Sequence, residues 1–243
     1  MSEVMNNSET TNRRLGNNMD SDMKGYIVTG LLALCLLLGL AGQFGSTWLV
    51  NETGEDDAVT TTSTGLRASH IEMVCNEKNE TAVADCESSD AVSEYIAKEF
   101  DYMEYDDGVL KIEFDEAYDD CIKEMENAGK ASDEACEVMS DLISAGTWGG
   151  IILWMGILSC LAVIMMFILP KFGVDLEVLP DNVDMGMSWA GGILTGLAVL
   201  AWYVLLPDSG DASAGMSVWL TIIGSVMGVG AAAVTTFVAA DES

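Results

Sequence analysis

Positive charge is scarce in this chain. Ten Lys and Arg face 39 Asp and Glu over 243 residues, a formal net charge of -29. A surface of that sign repels nucleic acid and other acidic partners, so no nucleic-acid partner is expected. Histidine is scarcer still, with His70 alone. No nucleophile has a base near it in sequence, no residues have metal-ligand spacing, and no carboxylate pair lies inside an apolar run. These absences point away from an enzyme, and neither a cofactor nor a bound metal is expected. The phosphate-cradling glycine loop and the kinase and hydrolase signatures are missing as well. Of the three prolines, Pro170, Pro180 and Pro207, each lies at or beyond the end of an apolar run, as helix stops do.

What is present divides into two chemistries. Half of the residues are hydrophobic, and mean hydropathy is +0.29. A disordered acidic chain would lack that apolar half. No charged residue falls between Lys24 and Glu52, Asp141 and Lys171, Asp184 and Asp208, or Asp211 and Asp241. A helix needs roughly 20 apolar residues to cross the hydrocarbon core, and inside lipid only helices and closed barrels satisfy their backbone polar groups. The pattern predicts transmembrane helices over 25–46, 147–169, 186–206 and 214–239. The first run is longer than a cleaved signal, and the flank before it carries Glu3, Glu9, Asp20 and Asp22, so it is read as a permanent helix.

Lys and Arg near the helix ends set the expected orientation. Arg13, Arg14 and Lys24 precede the first span, and Lys171 follows the second. Residues 1–24 become a disordered cytoplasmic tail, 170–185 a cytoplasmic loop and 240–243 a cytoplasmic tail. Residues 47–146 and 207–213 then lie outside, in a multi-pass protein of the plasma membrane. Trp48, Trp148, Trp202, Tyr203 and Trp219 fall near the outer interface, and Tyr26 and Trp189 near the inner one. No span holds an ionisable Asp, Glu, Lys, Arg or His, which argues against a proton-coupled pump or voltage sensor. Gly192 with Gly196, and Gly224 with Gly228, have the small-xxx-small spacing of close helix packing within a bundle. Leu36, Leu37 and Leu38 read as lipid-facing, and Cys35 and Cys160 as small buried apolar residues.

The segment 47–146 holds 27 acids, six bases and four of the six cysteines. Four cysteines in an exported segment allow three disulfide connectivities. Tyr118, Cys121, Ile122 and Met125 share one helical stripe, and Ala135, Met139, Leu142 and Ile143 share another. A turn over 127–132, with Ser132 as N-cap and Asp133 and Glu134 in the next first turn, makes these a hairpin centred near Gly129. That hairpin sets Cys121 opposite Cys136 and leaves Cys75 for Cys86. Residues 109–114 alternate as a strand, as do 71–75 less cleanly, and the β-branched 60–64 is a third. Ser89 and Asp90 read as the cap of a helix carrying Val92, Tyr95, Ile96 and Phe100. The fold class expected is a membrane α-helical one: a four-transmembrane-helix bundle with a large extracellular α+β loop domain between helices 1 and 2. Asn51 and Asn79 open glycosylation sequons, with Asn51 close to the membrane.

Acids concentrate at Glu55, Asp56 and Asp57, at Asp101, Glu104, Asp106 and Asp107, and at Asp115, Glu116, Asp119 and Asp120. No twelve-residue calcium loop with its central glycine accompanies them. They read as a solvated acidic surface suited to a salty medium, with weak cation association only.

Trp48, then Gly65-Leu66, then Cys75 and Cys86, in one large loop after the first span, resemble the claudin and peripheral-myelin-protein superfamily, whose outer loop carries a Trp, Gly-Leu-Trp and two cysteines about ten residues apart. Arg67 stands where that motif has its second Trp, and the loop is about twice as long, with an added segment 87–146 and a second cysteine pair. The resemblance implies a left-handed four-helix bundle with an outer β-sheet and a role in adhesion, barrier formation or as an accessory subunit. The expected function is therefore a non-enzymatic integral membrane protein of claudin-like plan with a structural, adhesion or barrier role. The alternatives are an accessory subunit or sensor of a channel or transporter complex, or a calcium-responsive surface domain. The expected partners are membrane lipid and either further copies of the chain or another membrane protein.

The orientation is directly measurable. In intact cells a membrane-impermeant thiol reagent should label Ser63→Cys and miss Gly173→Cys; the reverse labelling would overturn the assignment.

Overall fold

A computed structural model describes residues 2–55, 57–76, 79–130, 135–173, 183–207 and 210–240. Asp56, Ser132, Asp133, Glu134 and Pro180 lie outside the described residues. Six α-helices are described: α1 Ser2–Phe44, α2 Glu80–Glu99, α3 Phe114–Asn127, α4 Glu137–Ile168, α5 Val183–Leu205 and α6 Met216–Ala240. A 3-10 turn, Leu169–Phe172, extends α4. Four helices are long and apolar enough to cross a membrane, over Met23–Phe44, Glu137–Phe172, Met185–Leu205 and Met216–Phe237. They close a ring in the order α1, α4, α5, α6, each packed on the next.

The close approaches in this ring use small residues. Gly192 of α5 faces the backbone of Gly228 and Val229 in α6, Gly196 faces Ser225, and Gly224 faces Leu38 and the Cys35 carbonyl of α1. All four glycines of the small-xxx-small pairs thus lie at crossings inside one bundle. At its centre the reduced Cys35 and Cys160 bring their Sγ atoms to 3.3 Å. Polar bonds join neighbouring helices: Ser159 Oγ donates to the Met187 carbonyl, Ser225 Oγ to that of Gly192, and Trp189 Nε1 to Thr236 Oγ1. Of the three leucines expected to face outward, only Leu37 is exposed; Leu36 and Leu38 are half-buried, because α1 packs on both α4 and α6.

Two helix starts differ from expectation. The first helix begins at Ser2, so the stretch 1–24 read as a disordered tail is helical from that residue on. Once apolar turns have nucleated a helix, each further residue adds a hydrogen bond, and this carries the helix through a flank whose Asn, Ser, Thr and Asp residues are weak helix formers on their own. α4 begins at Glu137, ten residues before the expected start of the second span near 147. The second arm of the expected hairpin and the second apolar run are therefore one continuous helix. Nothing between Met139 and Trp148 breaks the 3.6-residue pattern, and a helix has no reason to end where its solvent changes.

Above one end of the ring stands an antiparallel sheet of β1 Leu49–Glu55, β2 Ala58–Thr64, β3 Ala68–Cys75, β4 Met103–Asp106, β5 Val109–Glu113 and β6 Ser213–Ala214, in the order β4-β5-β3-β2-β1-β6. β1 has no apolar alternation to announce it; its Asn51 and Thr53 pair with Thr62 and Thr60 of the threonine-rich β2. β-branched cross-strand neighbours stabilise such a pair without a hydrophobic stripe. β6 comes from the connection between α5 and α6 and pairs with Leu49 and Val50. β4 and β5 are joined at Asp107-Gly108, both at positive φ, as a two-residue hairpin requires. The strand expected over 109–114 ends at Glu113, and the buried Phe114 opens α3.

Asn79 caps α2, its side chain accepting from the Thr81 and Ala82 amides. Ser89 and Asp90, expected as that cap, lie inside the helix, because the helix already starts at the Asn79 cap, whose bonded amides lie about two helical turns upstream. Cys75 is bonded to Cys86, and Cys121 to Cys136, with Cα separations of 6.2 Å in both pairs. The first bridge fastens α2 to the distal end of β3, and the second fastens α3 to the start of α4.

Gly146 has no room for a side chain. A Cβ there would overlap the Leu66 carbonyl, the point where the β2–β3 turn rests on α4. Gly146→Val should therefore unseat the sheet while leaving the apolar helices formed. In mild detergent, limited proteolysis should cut between β2 and α3 at least several-fold faster than in the parent chain, with helical circular dichroism retained. Unchanged proteolysis would show that the turn does not depend on this contact.

Candidate interaction surface

Trp48 is the junction between bundle and sheet. Its side chain is 0% exposed, its Nε1 donates to the Gly42 carbonyl at 2.7 Å, and its ring meets Trp202 edge-to-face at 5.0 Å. Its backbone amide donates to the Thr64 carbonyl, and its own carbonyl accepts from Gly215. Beside it the Ser217 amide donates to the Thr47 carbonyl, and the two hydroxyls lie 3.1 Å apart. One residue thus fixes the end of α1, the start of β1, the end of α5 and the approach to α6.

Leu66 is buried in the same apolar cluster as Trp48, with Ala145, Leu153, Ala198, Trp202 and Val218. Gly65 turns the chain there, its amide donating to the Ala68 carbonyl, and it lies against the Gly45 and Ser46 backbone at the end of α1. A side chain would push those segments apart. Trp48, Gly65 and Leu66 therefore meet at the base of the sheet, whereas the Cys75–Cys86 bridge lies at its far end, where Cys75 faces Ala58. Arg67 is exposed, and its carbonyl receives the Phe114 amide.

The acids occupy the surface beyond this base. Asp101 joins Glu99, Glu116, Asp119 and Asp120 around an open cleft of about 360 Å³ that Phe100, Tyr102 and Lys123 complete. Burial, with the charges of Asp120 and Glu124, raises the Tyr102 phenol above its usual value. Glu104 and Asp106 instead lie on the β4 side near His70 and Lys111. Lys111 Nζ is 2.7 Å from Glu113 and 3.6 Å from Glu104, and the Glu113 hydrogen bond raises its pKa. Burial first, and the Lys111 charge second, hold His70 below its ordinary value. Tyr105 is pushed up to about 12, first by burial and then by its hydrogen bond to Asp90. Among the described residues no group of three or more His, Cys, Asp or Glu is placed to hold a metal ion.

Of the sequon residues, Asn51 lies in β1 paired with Thr62, and Asn79 is committed to its capping role. Sequence reasoning passed over Trp202, Gly146, Gln43 and the β6 residues Ser213 and Ala214 as parts of this junction. Gln43 carried a signal, since it is the single side-chain amide in 25–46. No protein-family model and no curated protein matches the chain.

The diffuse arrangement of acids sets an expectation for ions. Screening shortens the Debye length from about 10 Å at 0.1 M salt to about 3 Å at 1 M, so repulsion among the acids should fade. The full chain in uncharged detergent should gain thermal stability steadily with sodium chloride, and calcium should add only a comparable ionic-strength effect. A sharp, saturable rise in Tm at micromolar calcium, abolished by Asp119→Asn with Asp120→Asn, would mark a dedicated cation site instead.

Proposed function

We propose that the chain is a non-enzymatic integral membrane protein of claudin-like plan, whose extracellular sheet domain serves adhesion, barrier formation or a related structural role at the plasma membrane. The observation that carries this reading is the rigid seating of the sheet on the bundle through Trp48, Gly65 and Leu66. A catalytic loop needs access to substrate; a sheet seated on the bundle instead presents a surface at a fixed angle to its support.

The bundle's outer face supports the membrane part. Leu34, Leu37, Ile151, Met155, Leu158, Val204 and Val226 are exposed along the helices. In water such area is unfavourable by roughly 25 cal/mol per Å², whereas lipid tails accept it. Exposed Trp148, Tyr203 and Trp219 ring the sheet end of the bundle. At the opposite end Lys171 lies over the Tyr26 ring, 4.5 Å from its centroid. Aromatics at both interfaces, with a base at one, fit the sheet outside and both termini in the cytoplasm.

The sheet edges limit how copies meet. β4 carries exposed Glu104 and Asp106 at one edge, and β1 runs past the two-residue β6 into Glu52 at the other. Charged edges oppose strand-to-strand pairing, so copies associate through faces or helices rather than by extending the sheet. Purification in mild detergent with lysine-directed and photoreactive cross-linking should recover a homo-oligomer that strengthens between about 0.1 M and 1 M salt, as screening predicts. Recovery of a stoichiometric foreign membrane protein would favour an accessory-subunit role. A monomer under all conditions would overturn self-association.

A further inference from the structure

At the base of the sheet, between α1, α4, α3 and the β2–β3 turn, is a cavity of about 240 Å³. It is smaller than the roughly 300–1,000 Å³ of sites for drug-sized ligands, so it suits a head group rather than a whole amphiphile. Its lining is chemically divided. Arg67 and Asp115 stand at the sheet side, Gln43 and Thr147 in the wall, and Ile151 and Trp154 toward the outer flank of α4.

Gln43 is the telling residue. It is nine-tenths buried, it lines this cavity, and its Oε1 has no hydrogen-bond partner. A buried amide left unpaired is unfavourable, so native structures pair nearly all such groups. Gly150 lies beside it: a Cβ there would stand 3.5 Å from Gln43 Nε2, in ordinary contact. The space in front of the amide is therefore real and left open by a glycine. Arg67 supplies the opposite need, because its exposed guanidinium has no hydrogen bond or ion pair with the described residues, Asp115 included. Below both, Trp154 meets Phe44 edge-to-face at 6.0 Å, and the exposed Ile151 continues into Met155 and Leu158 along the outer flank of α4.

We infer that this cavity binds the head group of an anionic, hydroxyl-bearing phospholipid, with its acyl chain lying along the Phe44, Trp154 and Ile151 flank. The phosphodiester lies against Arg67, whose planar fork matches phosphate oxygens. A head-group hydroxyl meets Gln43; it both donates and accepts, so it satisfies the amide in either orientation. Asp115 accepts from a second hydroxyl and opposes a doubly charged phosphate. The apolar flank distinguishes a lipid from a free phosphate ester. The inference rests on the membrane reading above, since the acyl path is useful only where the outer flank of α4 faces hydrocarbon.

The test uses the full chain in uncharged mild detergent, titrated with short-chain phosphatidylglycerol, short-chain phosphatidylcholine and glycerol 3-phosphate, and read by Tm and by tryptophan fluorescence. Phosphatidylglycerol should bind saturably, at least about tenfold tighter than phosphatidylcholine, and Arg67→Ala should remove most of that difference. Arg67→Lys should keep part of it. Gly150→Leu, which fills the space before Gln43, should abolish binding while Gly150→Ala is tolerated. Glycerol 3-phosphate should bind far more weakly than the lipid; equal affinity would overturn the lipid assignment in favour of a soluble phosphate ester. Equal binding of the two lipids, or unchanged phosphatidylglycerol affinity in Arg67→Ala, would overturn the site itself. A chain that stays in solution without detergent would instead overturn the membrane reading, and cell fractionation separates that failure from the others.

Discussion

The burial of one indole organises this molecule. Trp48 contributes its ring to the apolar cluster at the sheet end of the bundle, its Nε1 to the Gly42 carbonyl and its backbone to both β2 and the approach to α6. Neither half could fix the other's position unaided. Helices in lipid gain nothing from water exclusion and rely on close contact of small residues, which the Gly192, Gly196, Gly224 and Gly228 crossings provide. The apolar residues of the sheet, among them Val59, Ile71 and Ile112, are only half-buried, so the sheet's own packing does little to choose an orientation. The Trp48 ring couples them, because both a helix end and a strand start belong to the residues on either side of it.

The acidic composition then explains why the upper part is stapled. With 27 acids and six bases over residues 47–146, mutual repulsion works against compactness. Among the described residues of this segment the ion pairs are Lys98 with Glu94, exposed on both sides, and the half-buried Lys111 with the exposed Glu104 and Glu113. Pairs of that kind contribute about 0–1 kcal/mol each. A disulfide closing a short loop is worth roughly 2–4 kcal/mol by constraining the unfolded chain. The Cys75–Cys86 bridge holds α2 against the end of β3 that lies far from the Trp48 cluster, and the Cys121–Cys136 bridge holds α3 against the start of α4. The first bridge and the buried base therefore act at opposite ends of the same sheet.

Legibility from sequence follows the same division. The apolar runs were plain, because an uncharged stretch of that length has few alternatives. The cysteine pairing was legible too, since a hairpin centred near Gly129 sets Cys121 opposite Cys136 and leaves Cys75 for Cys86. β1 and β6 were not. Leu49 to Glu55 has no alternation, and Ser213-Ala214 is two residues whose strand character exists only because Leu49 and Val50 offer free backbone groups. The start of α4 was misplaced because charge marks where a helix leaves lipid, not where it ends. β4 was overlooked although Asp107-Gly108 is a strong hairpin signal, because a strand of Met, Glu, Tyr and Asp alternates too briefly to stand out. The junction lay beyond reach for a different reason: Trp48 and Trp202, or Gly146 and Leu66, meet only through tertiary packing that no local period encodes.

The continuity of α4 has a consequence for how the two parts act together. The helix runs from Glu137, next to the Cys121–Cys136 bridge, past Gly146 under the β2–β3 turn, to Ile168 beyond the central Cys35–Cys160 contact. A hydrogen-bonded helix resists bending, and α4 contains no proline to hinge it. The sheet is also closed by β6, which belongs to the connection between α5 and α6. The segment 47–146 is thus not a module on tethers; its last elements are the first turns of the bundle, and its edge strand comes from another connection. A load applied to α3 passes through the disulfide into α4, and one applied to β1 passes through β6 and Trp48 into α5 and α6. A surface that must hold a partner at a fixed angle needs that rigidity, and a detachable domain would not supply it.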